Sequence, residues 1–134
     1  MDRLTERLRV ARRALETFRE ALREPKTPLN RDASIQRFEY TYEAVWKTAQ
    51  LYLRVRENLE LASPTAVTRA CFQTALLTQE QSRTAMDMIR DRNLTVHTYN
   101  QELADQIYSR LPAYATLIEQ WLAAMPDQTA FDLT

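Results

Sequence analysis

Glycine does not occur once in the 134 residues of this chain. A phosphate-cradling loop and a dinucleotide-binding fingerprint both need glycine for close backbone approach, so both are excluded. Hairpin turns and helix caps built on glycine are excluded with them. A β-rich fold would lack its ordinary turn chemistry, whereas an all-helical fold has no such need. Cysteine and histidine are almost as scarce: Cys71 and His97 are each the only one of their kind. One chain therefore cannot assemble a Cys/His zinc site or an intrachain disulfide. Long apolar runs are missing too. The longest is the five residues Trp121 to Met125, where a membrane span needs about 18. The start, Met1-Asp2-Arg3-Leu4-Thr5-Glu6, lacks the apolar stretch of a signal peptide. A cytoplasmic location and no membrane partner are expected.

What is present suits one small core. Apolar residues make up 45% and charged residues 27%, enough of the first to exclude a disordered tail. Residues 1–126 read as a single domain, and 127–134 as a frayed tail. Basic and acidic side chains balance at 18 each, so a generally basic nucleic-acid-binding domain is not indicated. The balance is uneven along the chain. Residues 1–31 carry nine basic and five acidic side chains, and the remainder nine and thirteen. Sixteen of the eighteen basic residues are arginine, the residue suited to bidentate phosphate and carboxylate contacts. Genome composition produces the same bias.

Prolines at 25, 28, 64, 112 and 126 divide the chain, and helical spacing fills the intervals. Leu4, Leu8, Ala11, Leu15, Phe18 and Leu22 form one stripe, ended by Pro25 and Pro28. Ile35, Phe38, Tyr42, Val45, Ala49 and Tyr52 form a second, widened by Trp46, Leu53 and Leu59. This predicts a helix of about 30 residues, capped by Asn30 or Asp32. Ser63-Pro64 reads as a restart, serine capping and proline at the first helical position. Val67, Cys71 and Leu76 face inward from the short helix that follows, with Cys71 a core filler rather than a nucleophile. A fourth helix spans about Gln79 to Arg92 with Met86 and Ile89 on its apolar side. A fifth starts near Thr98, where Thr98 and Gln101 have capping-box spacing. Leu103, Ile107, Tyr114, Ile118 and Trp121 make its stripe, and Pro112 should kink or split it. The expected fold is all-α: an antiparallel up-and-down bundle of about five helices. The heptad-like stripes of the first two helices also suit self-association.

Chemistry concentrates in Asp91-Arg92-Asn93-Leu94-Thr95-Val96-His97-Thr98-Tyr99-Asn100. Arg92 and His97 lie five apart, so on one continuous helix they would point about 140° apart. They can converge if the helix breaks between them or if two chains meet. A break would leave Arg92 at one helix end, and His97 and Tyr99 at the start of the next. Arginine beside a helix N-terminus is a phosphate site, and a histidine there can move protons near neutral pH. That chemistry suits RNA cleavage by attack of the 2′-hydroxyl on its own phosphate, with no metal. The plainer alternative is a solvated histidine between helices, with Tyr99 packing and Asn93 and Thr98 capping.

Arg92 through Tyr99 resembles the Arg-x4-His-x-Tyr motif of HEPN domains, and Asn93 fits the polar position after the arginine. Arg37-Phe38-Glu39-Tyr40-Thr41-Tyr42-Glu43-Ala44-Val45-Trp46-Lys47 resembles the long-helix signature of the nucleotidyltransferase substrate-binding family. Arg92 through Tyr99 is similar to that family's second signature, and the Ser63-Pro64 restart lies fittingly between the two. The resemblance spans about Phe18 to Trp121. One departure is Ala85, where an aromatic residue is expected. The resemblance implies a helical bundle, a homodimer and a minimal nucleotidyltransferase partner. One function it implies is the toxin of a type VII toxin–antitoxin pair, a metal-independent ribonuclease with RNA as substrate and no cofactor. On that reading Arg92 binds phosphate, His97 is the acid/base residue, Asn93 positions the site, and Tyr99 is the residue silenced by AMP. The other is a non-catalytic substrate-binding subunit of a two-component transferase. A transferase's own catalytic subunit needs a Gly-Ser motif that this chain lacks. A third possibility is a scaffold whose motif residues only pack a dimer. The toxin reading places the site in a cleft near a dimer axis, with Arg3, Arg7, Arg9, Arg12 and Arg13 extending its basic surface or meeting an acidic partner.

Overall fold

The computed structural model describes residues 2–126, so the proposed tail, 127–134, lies outside the described residues. Five α-helices form in chain order: α1 Arg3–Arg23, α2 Pro28–Glu57, α3 Pro64–Gln73, α4 Gln79–Leu94 and α5 Gln101–Ala123. A single 3₁₀ turn, Thr95–His97, separates α4 from α5, and no strand occurs among the described residues. The fold is therefore all-α, as the spacing predicts. Four long helices alternate in direction. Ala14 meets Thr41 while Arg7 meets Thr48, which makes α1 and α2 antiparallel. Gln81 meets Gln120 while Asp91 meets Arg110, which does the same for α4 and α5. The short α3 lies in the connection from α2 to α4.

Side-chain oxygens start the helices. Asp2, Thr27, Ser63, Thr78 and Asn100 each accept from a backbone N–H in the first turn. Two of these caps differ from simple expectation. Thr27 caps α2, not Asn30 or Asp32, because Pro28 takes the first helical position and moves the start back. Asn30 instead ties down the α1–α2 turn, donating to Ala21 O at 3.0 Å. The reciprocal capping box forms at Thr78 and Gln81. At Thr98 it does not form: that hydroxyl donates back to Thr95 O at 3.0 Å, and Asn100 caps α5.

The apolar stripes bury as expected, with shifts of a residue where the helix phase decides. Leu4, Leu8, Ala11, Leu15 and Phe18 are buried, with Ala21 completing the stripe ahead of the half-buried Leu22. On α4 the buried positions are Ala85 and Met88, not Met86. Leu77 rather than Leu76 is fully covered, and Leu59 lies exposed beyond the end of α2. Trp121, Tyr42, Phe18 and Phe38 are the largest buried side chains, and Phe38 stacks on Tyr114 at 5.4 Å. Burying each such ring contributes about 1.5–3 kcal/mol. Cys71 has no exposure, and burial pushes its thiol up to about 11, which makes it inert core. Pro112 does not split α5. It sits on the solvent face, where the carbonyl it leaves unpaired can reach water, while Leu111, Tyr114 and Ala115 hold the other face in the core.

Ser34, Thr41 and Thr48 recur every seven residues on the buried side of α2. Each hydroxyl is satisfied by the carbonyl four residues back, at 2.6–2.8 Å. Thr41 and Thr48 also reach α1 carbonyls, at 3.2 and 3.3 Å. Small polar residues thus let α1 and α2 approach without an unpaired group.

Without glycine, left-handed backbone falls to other residues. Asn58, which tolerates it, ends α2 at φ 56°. Ala75 takes φ 64° after α3, where Leu76 N and Leu77 N both donate to Cys71 O. Alanine in this region is strained by about 1 kcal/mol. Ala75→Gly is therefore expected to stabilise the chain by about that amount, read as a higher urea midpoint at unchanged slope. An unchanged or lower midpoint would contradict the strain.

Candidate functional site

The segment from Asp91 to Asn100 is irregular between two regular helices, and it is held from both sides. On the α4 side, the fully buried Asp91 carboxylate receives Arg110 Nε at 2.7 Å, Arg110 Nη2 at 2.9 Å and the Tyr114 hydroxyl. Burial, reinforced by the Asp91 hydrogen bond, raises Tyr114 well above the usual phenol range, so it stays a donor. On the α5 side, buried Arg31 of α2 reaches Gln101 Oε1 at 2.6 Å and Asp105 Oδ1 at 3.1 Å. Lys26 adds a contact to Asp105 at 3.0 Å, and these two cations hold that carboxyl below its ordinary value, Lys26 foremost.

Asp91 also sets the direction of its neighbour. With the Asp91 carboxylate pinned against α5, the next side chain is turned about 100° away, towards α2. Arg92 Nε lies 3.5 Å from Glu43 Oε1. Glu43 gathers three groups: Arg92, Lys47 Nζ at 3.9 Å, and Trp46 Nε1, which donates at 3.3 Å. Gln36, Glu39, Tyr40, Glu43 and Arg92 line a shallow cleft here. Arg92 Nε makes no hydrogen bond among the described residues, nor does the buried Tyr42 hydroxyl on the same side of α2. At 30% and 38% side-chain exposure, the Arg92–Glu43 pair is worth about 0–1 kcal/mol. The arginine can therefore change partner at little cost.

The helix breaks where expected. Beyond Leu94, the 3₁₀ turn carries His97 to the surface, and Asn100 N closes on His97 O at 3.0 Å. Tyr99 directly precedes the Asn100 cap and is 79% exposed. Its hydroxyl is 3.4 Å from His97 Nδ1, and the two rings meet edge to face at 5.9 Å. His97 and Tyr99 are thus brought together. Arg92 faces the other way, with no hydrogen bond, ion pair or ring contact to His97 within one chain among the described residues. Asn93 is exposed on the last turn of α4. Among the described residues no group of three or more His, Cys, Asp or Glu side chains is placed to hold a metal ion, and no helix is long and apolar enough to cross a membrane.

Local pattern assigns Glu43, Asp91, Arg110 and Tyr114 no role at the site, Tyr114 being read only as part of the α5 stripe. A signal for Asp91 exists: it continues the buried line Ala85, Met88, Asp91, Thr95. A carboxylate on a buried line demands a cationic partner.

This fold and these residues define a class. The chain belongs to the nucleotidyltransferase substrate binding protein like family, matched over residues 6–127. A solved protein of Thermus thermophilus shares 52% identity, with a TM-score of 0.84 over 87% of this chain and 99% of that one. A chain of a toxin–antitoxin complex solved with AMP-PNP superposes at TM-score 0.76 with 19% identity, covering 94% and 100%. The tri-AMPylated HEPN toxin of Shewanella oneidensis, in complex with its MNT antitoxin, superposes at 0.75 with 18% identity, covering 92% and 97%. At those identities the likeness to the two toxin–antitoxin structures establishes a shared HEPN-type fold. No curated protein matches the sequence.

Arg110→Ala would leave the buried Asp91 carboxylate without its bidentate, hydrogen-bonding cation. The expected loss is about 3 kcal/mol, read by urea unfolding. Arg90→Ala, which removes an exposed neighbour at 3.8 Å from the same carboxylate, should cost well under about 1 kcal/mol. Equal losses would show that Asp91 is not the fastening point.

Proposed function

We propose that this chain is the toxin half of a two-component pair: a homodimeric, metal-independent endoribonuclease that a partner minimal nucleotidyltransferase silences by adding AMP to Tyr99. One observation carries the reading. The two segments that resemble family signatures meet in space through Arg92 and Glu43, and the turn that follows exposes His97 and Tyr99 as a contacting pair.

The chemistry follows from those groups. The 2′-hydroxyl of a ribose attacks the adjacent phosphorus, a P–O2′ bond forms, and the P–O5′ bond breaks. The products are a 2′,3′-cyclic phosphate and a 5′-hydroxyl. One proton must leave O2′ and one must reach O5′. Each chain supplies a single imidazole, so two His97 rings across a dimer axis divide the two tasks. Arg92, released from Glu43, neutralises the phosphate oxygens as charge builds. Asn93 orients the same phosphate. In the silencing step the Tyr99 oxygen attacks the α-phosphorus of ATP, pyrophosphate leaves, and the phenolic proton passes to solvent. The product is a bulky anion set against His97, which excludes RNA by volume and by charge.

The test uses purified chain whose Tyr99 is shown unmodified by intact mass, with EDTA present throughout. Wild type should cut RNA to 5′-hydroxyl ends, and His97→Ala should be slower by at least about 100-fold. With partner and ATP, wild type should gain the mass of AMP and lose cleavage, while Tyr99→Phe keeps both its mass and its cleavage. No cleavage by unmodified wild type would overturn the ribonuclease reading and favour the substrate-binding subunit. Loss of stability without loss of activity in His97→Ala would favour a packing role.

A further inference from the structure

The Arg92 cleft occupies only part of one face of α2. Gln36, Tyr40, Glu43, Lys47, Gln50 and Arg54 follow one another at steps of 4, 3, 4, 3 and 4, so they share a single line along the helix. Gln36, Tyr40 and Glu43 line the cleft that holds Arg92. Lys47, Gln50 and Arg54 line a second groove, closed on its far side by Arg3 and Arg7 of α1 and at its end by Leu59, Glu60 and Leu61. Glu43 and Lys47, 3.9 Å apart, join the two.

The second groove is built rather than incidental. Gln50 Nε2 donates to Leu61 O at 2.7 Å, and Leu59 N donates to Leu53 O at 3.1 Å after the left-handed Asn58. These bonds fix the loop that ends the groove, and buried Leu51 forms part of its wall. Its charge is lopsided: Arg3, Arg7, Lys47 and Arg54 against Glu60 alone. The side chains of Arg3, Arg7 and Arg54 have no ion pair among the described residues, while Arg9 on another face of α1 is paired with Glu6. Three unpaired guanidiniums in one concavity attract an extended polyanion. From Glu43 to Arg54 the helix advances about 16 Å, a span of a few nucleotides.

We propose that this groove carries the flanking phosphates of single-stranded RNA whose scissile phosphate lies at Arg92, so that the substrate runs along α2. The inference rests on the ribonuclease reading of the Arg92 cleft. RNA is favoured over an acidic protein by the continuity of the two grooves along one helix line. Of the five N-terminal arginines, Arg3 and Arg7 belong to the track, and Arg12 and Arg13 point elsewhere from α1.

Binding of a fluorescein-labelled single-stranded RNA of about 12 nucleotides, measured across a salt series on full chain carrying His97→Ala, separates the possibilities. Adding Arg3→Ala/Arg7→Ala should weaken binding at least about fivefold and lower the log–log salt slope by about 1.4, two contacts at about 0.7 each. Adding Arg12→Ala/Arg13→Ala, an equal charge change on the same helix, should alter neither. Arg54→Ala should weaken binding in the same sense and lower the slope by about 0.7, one contact, and matching circular dichroism for all variants shows the fold intact. Equal weakening by both double variants, or by neither, overturns the track. So does loss of nucleotidyltransferase-partner binding with RNA binding unchanged, which would make the groove a protein surface. If unmodified wild type cuts no RNA yet the face-specific binding difference persists, the cleavage reading falls and the groove stands.

Discussion

The Asp91 carboxylate, wholly enclosed between α4 and α5, is the contact on which the arrangement of the motif depends. A buried carboxylate is tolerable only when its charge is neutralised and its lone pairs are used. Here a bidentate arginine and a phenol do both. The requirement is geometric as well as energetic. Three hydrogen bonds to one carboxylate fix the rotation of α4 about its own axis. That rotation sends Arg92 to Glu43 and leaves the following residues to form the surface turn. The Arg31 contacts to Gln101 and Asp105 then set where α5 begins. His97 and Tyr99 are held on a short irregular span whose two ends are both tied down.

Glu43 gives the site a different property. It is shared among a guanidinium, an ammonium and an indole N–H, with no contact shorter than 3.3 Å. A carboxylate divided in this way holds no one partner strongly. Arg92 is thereby left partly covered and pointed at a cleft, without being committed to an internal bond that a phosphate would have to break. The acidic residues of the cleft, Glu39 and Glu43, are followed further along α2 by the basic Lys47 and Arg54.

Much of this was legible beforehand. The absence of glycine, the proline positions and the 3–4 spacing identify the helices, because helix phase is a property of local sequence. The break before His97 was legible for the same reason. Cap identities were less so. Thr27 displaces Asn30 because proline fixes the first turn, and Asn100 displaces Thr98 because a 3₁₀ turn uses up the intervening residues. Met88 rather than Met86 faces inward because α3 and α5 together fix the azimuth of α4, and that depends on residues far apart in the chain. Glu43 and Arg110 were invisible as site neighbours for this reason: their partners lie about 49 and 19 residues away, and no local pattern reports them.

Both hydrogen-bond partners of Asp91 come from α5. Arg110 and Tyr114 leave the ribosome after every residue of the motif, from Arg92 to Tyr99, has already been made. Chains are synthesised at about 5–20 residues per second, so for on the order of a second the motif exists without the clamp that orients it. During that interval α1 and α2 can already pair through their own hydroxyl and leucine contacts, but Arg92 has no fixed direction. The order of residues along the chain therefore delays assembly of the site until α5 has been translated.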